Sequence, residues 1–205
     1  MLTEPAVASA VDGRMARSAR TRSAVIDALL ALYEAGDLSP TAVRVAARAG
    51  VALRTVYGHF ADMESLYAEA SEREMGRLAE VGKVVSPDLP YDERVRRFAA
   101  NRAVVLEWML PVMRAAASRE QGSPQLQRSR ERFVTLGDAE VRQVFGAELT
   151  GLPAATRDDI VHAVHAVSGG PAWVALRIDR GLCALDAERL LHRLVHAVLE
   201  GLPRG

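Results

Sequence analysis

Cysteine occurs once in this chain, at Cys183, which excludes an internal disulfide framework and a cysteine-rich zinc ribbon. Nothing calls for an oxidising compartment, so a cytoplasmic location is expected. Aromatic residues make up only 5% of the 205 residues, and lysine occurs once, at Lys83, leaving arginine as the working cation. No run reaches the roughly 18 apolar residues that cross a bilayer, and no membrane partner is expected. The mildly apolar stretch 6–11 is followed by arginines where a secretory signal would be preceded by them. A Gly-rich phosphate loop, a G-x-S-x-G elbow and an H-E-x-x-H pair are also missing. No catalytic residue, cofactor or enzyme activity is therefore expected.

With 49% hydrophobic and 25% charged residues the chain has the composition of a globular protein of one domain, or one and a small second. Its formal net charge of zero conceals an asymmetry: residues 14–60 hold seven arginines (14, 17, 20, 22, 44, 48 and 54) against Asp27, Glu34 and Asp37. Positive potential concentrated in one short segment is the electrostatic footprint of a phosphate-binding surface.

That segment reads as three helices behind a flexible, Arg-containing tail over 1–20. Ile26, Leu29, Leu30 and Tyr33 stand at i, i+3, i+4 and i+7, predicting a first helix that ends before Gly36. Thr41 is placed to cap a second helix whose inward face, Ala42, Val45, Ala46 and Ala49, is small enough for close helix packing. Gly50 offers the positive φ that ends it. A third, short helix over 53–60 turns Val56, Phe60 and part of Tyr57 inward, and Arg54, Thr55, Gly58 and His59 outward. Two short helices about a glycine turn, packed on a longer one, make a helix-turn-helix.

The pattern Thr41-x3-Val45-Ala46-x2-Ala49-Gly50-Val51-x3-Thr55-Val56-Tyr57-x-His59-Phe60, followed by Asp62-x-Glu64-x-Leu66, resembles the DNA-binding domain of the tetracycline-repressor (TetR) family of transcriptional regulators. The resemblance implies an all-α fold, with a three-helix DNA-binding domain over 21–66 and a helical ligand-binding and dimerisation bundle over 67–205. It implies a homodimer on a palindromic double-stranded operator, most often a repressor released by a small-molecule effector.

The chemistry of the segment agrees. Arg54 can make a bidentate contact to guanine, Thr55 can bond phosphate or touch a thymine methyl, and Tyr57 and His59 can donate to phosphate oxygens. Thr41 adds a hydroxyl at a helix N-terminus, and Arg44 and Arg48 lie on the helix that crosses the DNA backbone in this docking geometry. Arg14, Arg17, Arg20 and Arg22 can follow the backbone or enter the minor groove. Four positions depart from the family's pattern. Ala52 replaces a polar cap, Leu53 stands at a base-reading position, Gly58 removes a contacting side chain, and Met63 replaces a phosphate-binding lysine. An alternative reading follows from them: a helical ligand-binding or protein-interaction dimer that has lost specific DNA reading.

Beyond the segment, Asp62 is placed to cap a fourth helix running toward Val85. A fifth helix spans 91–118 and should kink or break at Pro111. Ser123-Pro124 opens a sixth, extending through Phe145. A helix over 154–180 should bend at Gly169-Gly170-Pro171, and a final one covers 186–202. The last two are more apolar than one buried face requires, so Trp173, Leu176, Leu191, Leu194, Val195, Val198 and Leu202 are the expected dimer interface. Phe98, Asn101, Arg102, Trp108, Met109, Met113, Phe133 and Trp173 are the expected lining of an effector pocket, Asn101 or Arg102 orienting the ligand. Glu188, His192, His196 and Glu200 recur every four residues, but as a charged stripe at the edge of a bundle, and no metal site is expected.

Overall fold

The computed structural model describes residues 5–201, and for 5–12 the backbone alone. Among them there is no strand, and no helix is long and apolar enough to cross a membrane. The chain divides between Ser71 and Glu72 into two compact units, somewhat beyond the boundary expected after Leu66.

The first unit contains α1 (Pro5–Glu34), α2 (Ala42–Ala49), α3 (Leu53–His59) and the start of α4 (Met63–Val81). Helix α1 starts well before the expected Thr21, so residues 5–20 of the anticipated flexible tail are helical. The cause is local: alanine and arginine are strong helix formers, and Gly13 is the lone breaker in the stretch. Val25, Ile26, Leu29 and Tyr33 form the buried face of α1, meeting Val45, Ala46, Val56 and Phe60 in a small core. Asp62 and Ser65 cap α4 reciprocally: Ser65 N donates to Asp62 Oδ1 at 2.7 Å, and Asp62 N to Ser65 Oγ at 3.2 Å. The Ser65 backbone N–H first, and then its hydroxyl, hold the Asp62 carboxyl below its usual range.

The second unit is built from the rest of α4, then α5 (Tyr91–Ala117), α6 (Pro124–Val144), α7 (Gly146–Leu149), α8 (Ala154–Ser168), α9 (Gly170–Val174) and α10 (Ala184–Glu200). Helix α5 runs through Pro111 as one element, so of the expected kink or break the break does not occur. Leu106, Met109, Leu110 and Val112 around it are buried, and that packing offsets the lost backbone bond. Ser123 caps α6 as expected, its Oγ accepting from Leu126 N at 3.2 Å. The helix anticipated over 154–180 ends at Ser168 and restarts at Gly170, because Gly169 adopts φ −92° and ψ −179°. It then passes through a π-helical turn, Ala175–Asp179. Helix α10 buries Ala187, Leu191, Val195 and Leu199. Arg94, itself buried, ties α5 to the end of α6 and to α7 through Val144 O at 2.8 Å and Glu148 Oε1 at 2.6 Å.

Candidate functional site

In the first unit, helix α2 begins where the Thr41 hydroxyl accepts from Arg44 N at 3.4 Å and ends at Gly50, which has φ 69°. The left-handed turn lets Gly50 N–H reach back to Ala46 and Ala47 carbonyls, while Val51 N bonds Ala46 O at 3.0 Å. Only glycine adopts this conformation without strain, so the angle between α2 and α3 is set locally. Ala52 precedes α3 without a side-chain cap.

What α3 hides and what it shows are then fixed by its period. Val56 is 1% exposed and the following Phe60 is 2% exposed, so the helix is fastened by these two apolar groups. Leu53, Arg54, Tyr57 and Gly58 are exposed, and Thr55 and His59 are half-buried. Tyr57, expected to turn partly inward, is 51% exposed. Thr41, Arg44 and Arg48 are exposed on α2, as are Arg14, Arg17 and Arg20 on α1. Arg44 pairs with Asp37 at 2.9 Å. The outward set thus offers guanidinium, hydroxyl and phenol donors, with Leu53 as an apolar contact.

Arg22 does not belong to that set. It donates through Nε to Glu69 Oε1 at 2.7 Å, through its other nitrogens to Glu69 and the His59 carbonyl, and lies 4.5 Å from the Phe60 ring centre. It is a fastener between α1, the end of α3 and α4, a role that sequence spacing does not reveal. Tyr67 adds another, donating to Pro40 O at 3.1 Å just ahead of α2.

In the second unit an open cavity of about 400 Å³ lies between the end of α4, α5 and α6. Of the expected ligand residues Asn101, Arg102 and Phe133 line it. Phe98 and Trp173 are instead in the core at 0% exposure, and Met109 is also buried. Phe98 packs edge-on against Phe145 with ring centres 5.2 Å apart, and Trp173 Nε1 donates to Glu107 Oε2 at 3.0 Å. Met113 packs on the same core, and Trp108 lies beneath the Arg77 guanidinium at 5.3 Å. Helical periodicity identifies the inward face of α5 but does not say whether that face meets packed side chains or a void. Met75, Leu78, Val105, Leu136 and Glu140 line the cavity and carry no distinguishing sequence signal.

Of the residues expected at a dimer interface, Trp173, Leu191 and Val195 are buried at 0% exposure within the unit, because α9 and α10 each pack on α5 and α8. Leu176, Leu194 and Val198 are half-buried, and Leu202 lies outside the described residues. Among the described residues no cluster of three histidine, cysteine or acidic side chains is arranged to hold a metal. His196 Nδ1 lies 3.2 Å from Glu200, and the His192 and His196 rings are 6.2 Å apart.

No protein-family model matches this chain, and no curated protein does. Solved structures do. A transcriptional regulator from Rhodococcus is 22% identical, with a TM-score of 0.64 over 90% of this chain and 96% of its own. A protein from Mesorhizobium loti assigned to the TetR family of regulators is 22% identical, at 0.65 over 90% and 97%. A protein from Pseudomonas aeruginosa assigned as a transcriptional regulator is 16% identical, at 0.61 over 88% and 90%. At these identities the likeness is one of fold: all-α, with the helix-turn-helix ahead of a helical bundle.

Proposed function

We propose that this chain is a TetR-family transcriptional regulator: a cytoplasmic homodimer that binds a palindromic DNA operator and is released from it by a small molecule in the second unit. The observation that carries this reading is α3. It is seven residues long, fastened by Val56 and Phe60, and turns Arg54, Tyr57 and Leu53 to solvent beyond a glycine turn. A helix this short is marginal alone, so its outer face is the reason for holding it.

Docked in a major groove, α3 reads bases with Arg54 and, through a thymine methyl, Leu53. Thr55, Tyr57 and His59 contact phosphate or sugar beside them, and Gly58 lets the backbone approach closely. Thr41, Arg44 and Arg48 hold the DNA backbone from α2, while Arg17 and Arg20 on α1 add sequence-independent attraction. A palindrome read by two copies, joined through Leu176, Leu194 and Val198, has half-sites about 34 Å apart, one turn of DNA. Helix α4 contributes residues to both units, which supports coupling of effector to operator by about 1–3 kcal/mol.

The test is selection of the purified protein against a random-sequence DNA library at physiological salt. One enriched palindrome is the expected outcome. Enrichment of nothing would sink the specific-regulator reading and favour a helical dimer without sequence reading, for which the uncapped Ala52 and side-chain-free Gly58 are the relevant observations.

A further inference from the structure

Helix α1 begins about four turns before it has a core to pack on. Residues 13–20 are all exposed, Met15 at 65%, and the first fully buried side chain is Val25. From Pro5 to Thr21 the axis runs about 24 Å, at 1.5 Å per residue. The root of this extension is fixed by Arg22, which donates to the His59 carbonyl at the C-terminal end of α3 and lies over the Phe60 ring. Helix α2 joins α3 at the opposite end, through Gly50. The extension therefore leaves the first unit beside the end of α3 that lies away from the glycine turn.

Arg14, Arg17 and Arg20 recur every third residue, which sets them within about 120° of the helix circumference and about 9 Å of its length. All three are exposed, and among the described residues they form no ion pair. Asp12 is the one acid between 5 and 22, and Glu69 on α4 is occupied by Arg22. Like charges on adjacent turns repel one another, so this face favours an anion that repeats along a line. A strand of duplex DNA presents one phosphate per 3.4 Å of axis, and about 9 Å spans two to three of them. A lipid surface also carries phosphate, but a helix lying on it buries a broad apolar face. Over 13–20 Met15 is the only large apolar side chain, so duplex DNA is the better match.

We propose that the N-terminal extension of α1 is a second DNA contact, in which Arg14, Arg17 and Arg20 hold phosphates that flank the half-site read by α3. Two extensions of about 24 Å cannot both lie between half-sites about 34 Å apart, so they run outward. Each then lengthens the footprint by up to about seven base pairs at its end of the operator. Guanidinium on phosphate fixes position and affinity without reading bases, and its strength falls with salt. This contact presupposes α3 as the recognition helix and extends that reading to the DNA beside it.

The test uses the full chain and the palindrome selected from the random library, in duplexes carrying no flank or flanks of four, eight or twelve base pairs of arbitrary sequence. Fluorescence anisotropy is read at several salt concentrations, with an unrelated duplex as control. Affinity for the palindrome should rise at least about tenfold from no flank to eight base pairs and then level off. In a variant combining Arg14→Gln, Arg17→Gln and Arg20→Gln, glutamine keeps the helix propensity, and the circular dichroism should be unchanged. That variant should lose the gain from flanks and about three units of salt slope per protomer, while discriminating point mismatches as before. Equal flank dependence in the two proteins, or mismatch discrimination lost in the variant, would overturn the proposal. Tighter binding of the chain to phosphatidylglycerol vesicles than to the unrelated duplex would also overturn it, by assigning the face to a lipid surface. Should no palindrome be enriched, the reading of α3 fails separately, and the extension is judged on the unrelated duplex. There a lower salt slope in the variant supports the contact, and an unchanged slope overturns it.

Discussion

Arg22 on α1 and Glu69 on α4, 47 positions apart in sequence, are joined by charge-assisted hydrogen bonds, Nε to Oε1 at 2.7 Å. The same guanidinium caps the His59 carbonyl at the end of α3. Arginine is suited to this because its planar fork serves a carboxylate and a carbonyl at once, which lysine cannot. One arginine of the basic segment is thus structural, while its neighbours Arg17 and Arg20 are exposed.

Replacing Arg22 by alanine should lower stability by about 1–2 kcal/mol, read as a shift in the urea midpoint. Arg17→Ala should leave that midpoint within about 0.5 kcal/mol. An equal loss in the two variants would mean that the bonds of Arg22 add nothing.

On DNA the two classes of arginine should separate again. Arg54→Ala should reduce discrimination at one base position of each half-site by about 1–3 kcal/mol, whereas Arg17→Ala should weaken all sequences alike and lower the salt slope by about one. Fluorescence anisotropy against matched and mismatched duplexes, at several salt concentrations, distinguishes them. Sequence preference unchanged in Arg54→Ala would exclude the proposed docking of α3.

Gly50→Ala should cost about 1 kcal/mol through backbone strain alone, since φ is 69° and a Cβ there would touch nothing within 4 Å. Gly137→Ala should cost more, about 1–3 kcal/mol, by a different cause: its Cβ would lie 2.6 Å from His165 Cε1. Thermal denaturation of both variants gives the order.

His165 lies 2.9 Å from Asp138. Burial first, and then the Arg102 guanidinium, push its imidazole below the ordinary range; Asp138 opposes them and His162 adds a small push downward. The folded state therefore keeps this ring neutral at a pH where the unfolded chain takes up a proton. Its contribution is complete above the unfolded value of about 6.5 and is lost as pH falls from there toward the lower folded value. The urea midpoint should fall between pH 7.5 and pH 5.5, and His165→Gln should flatten that fall. An identical fall in the variant would show that other groups cause it.

Leu191→Ala and Leu194→Glu test the buried centre of the inward face of α10 and its edge. Leu191 is 0% exposed, so its truncation should destabilise the subunit by about 2–5 kcal/mol. Leu194, about 60° round the helix from it, is half-buried, and a carboxylate there should convert dimer to monomer in sedimentation with the fold retained. A monomeric unsubstituted protein would remove the proposed interface altogether.

The helix-turn-helix was legible from the sequence because what specifies it lies within a few residues. Thr41 caps the helix it precedes, Gly50 supplies its own φ, and Val56 with Phe60 marks the buried face by period. The caps at Asp62 and Ser123 were readable for the same reason: each bonds a backbone N–H three positions on. Tertiary structure alone decided which arginine serves the fold, and which inward residues meet a cavity instead of the core. Phe98 and Arg102 stand one turn apart on α5, yet the first is packed against Phe145 while the second lines an opening beside Glu140. A helical period specifies a direction from the axis. What stands in that direction is set by other segments, and in this chain they are tens of residues away.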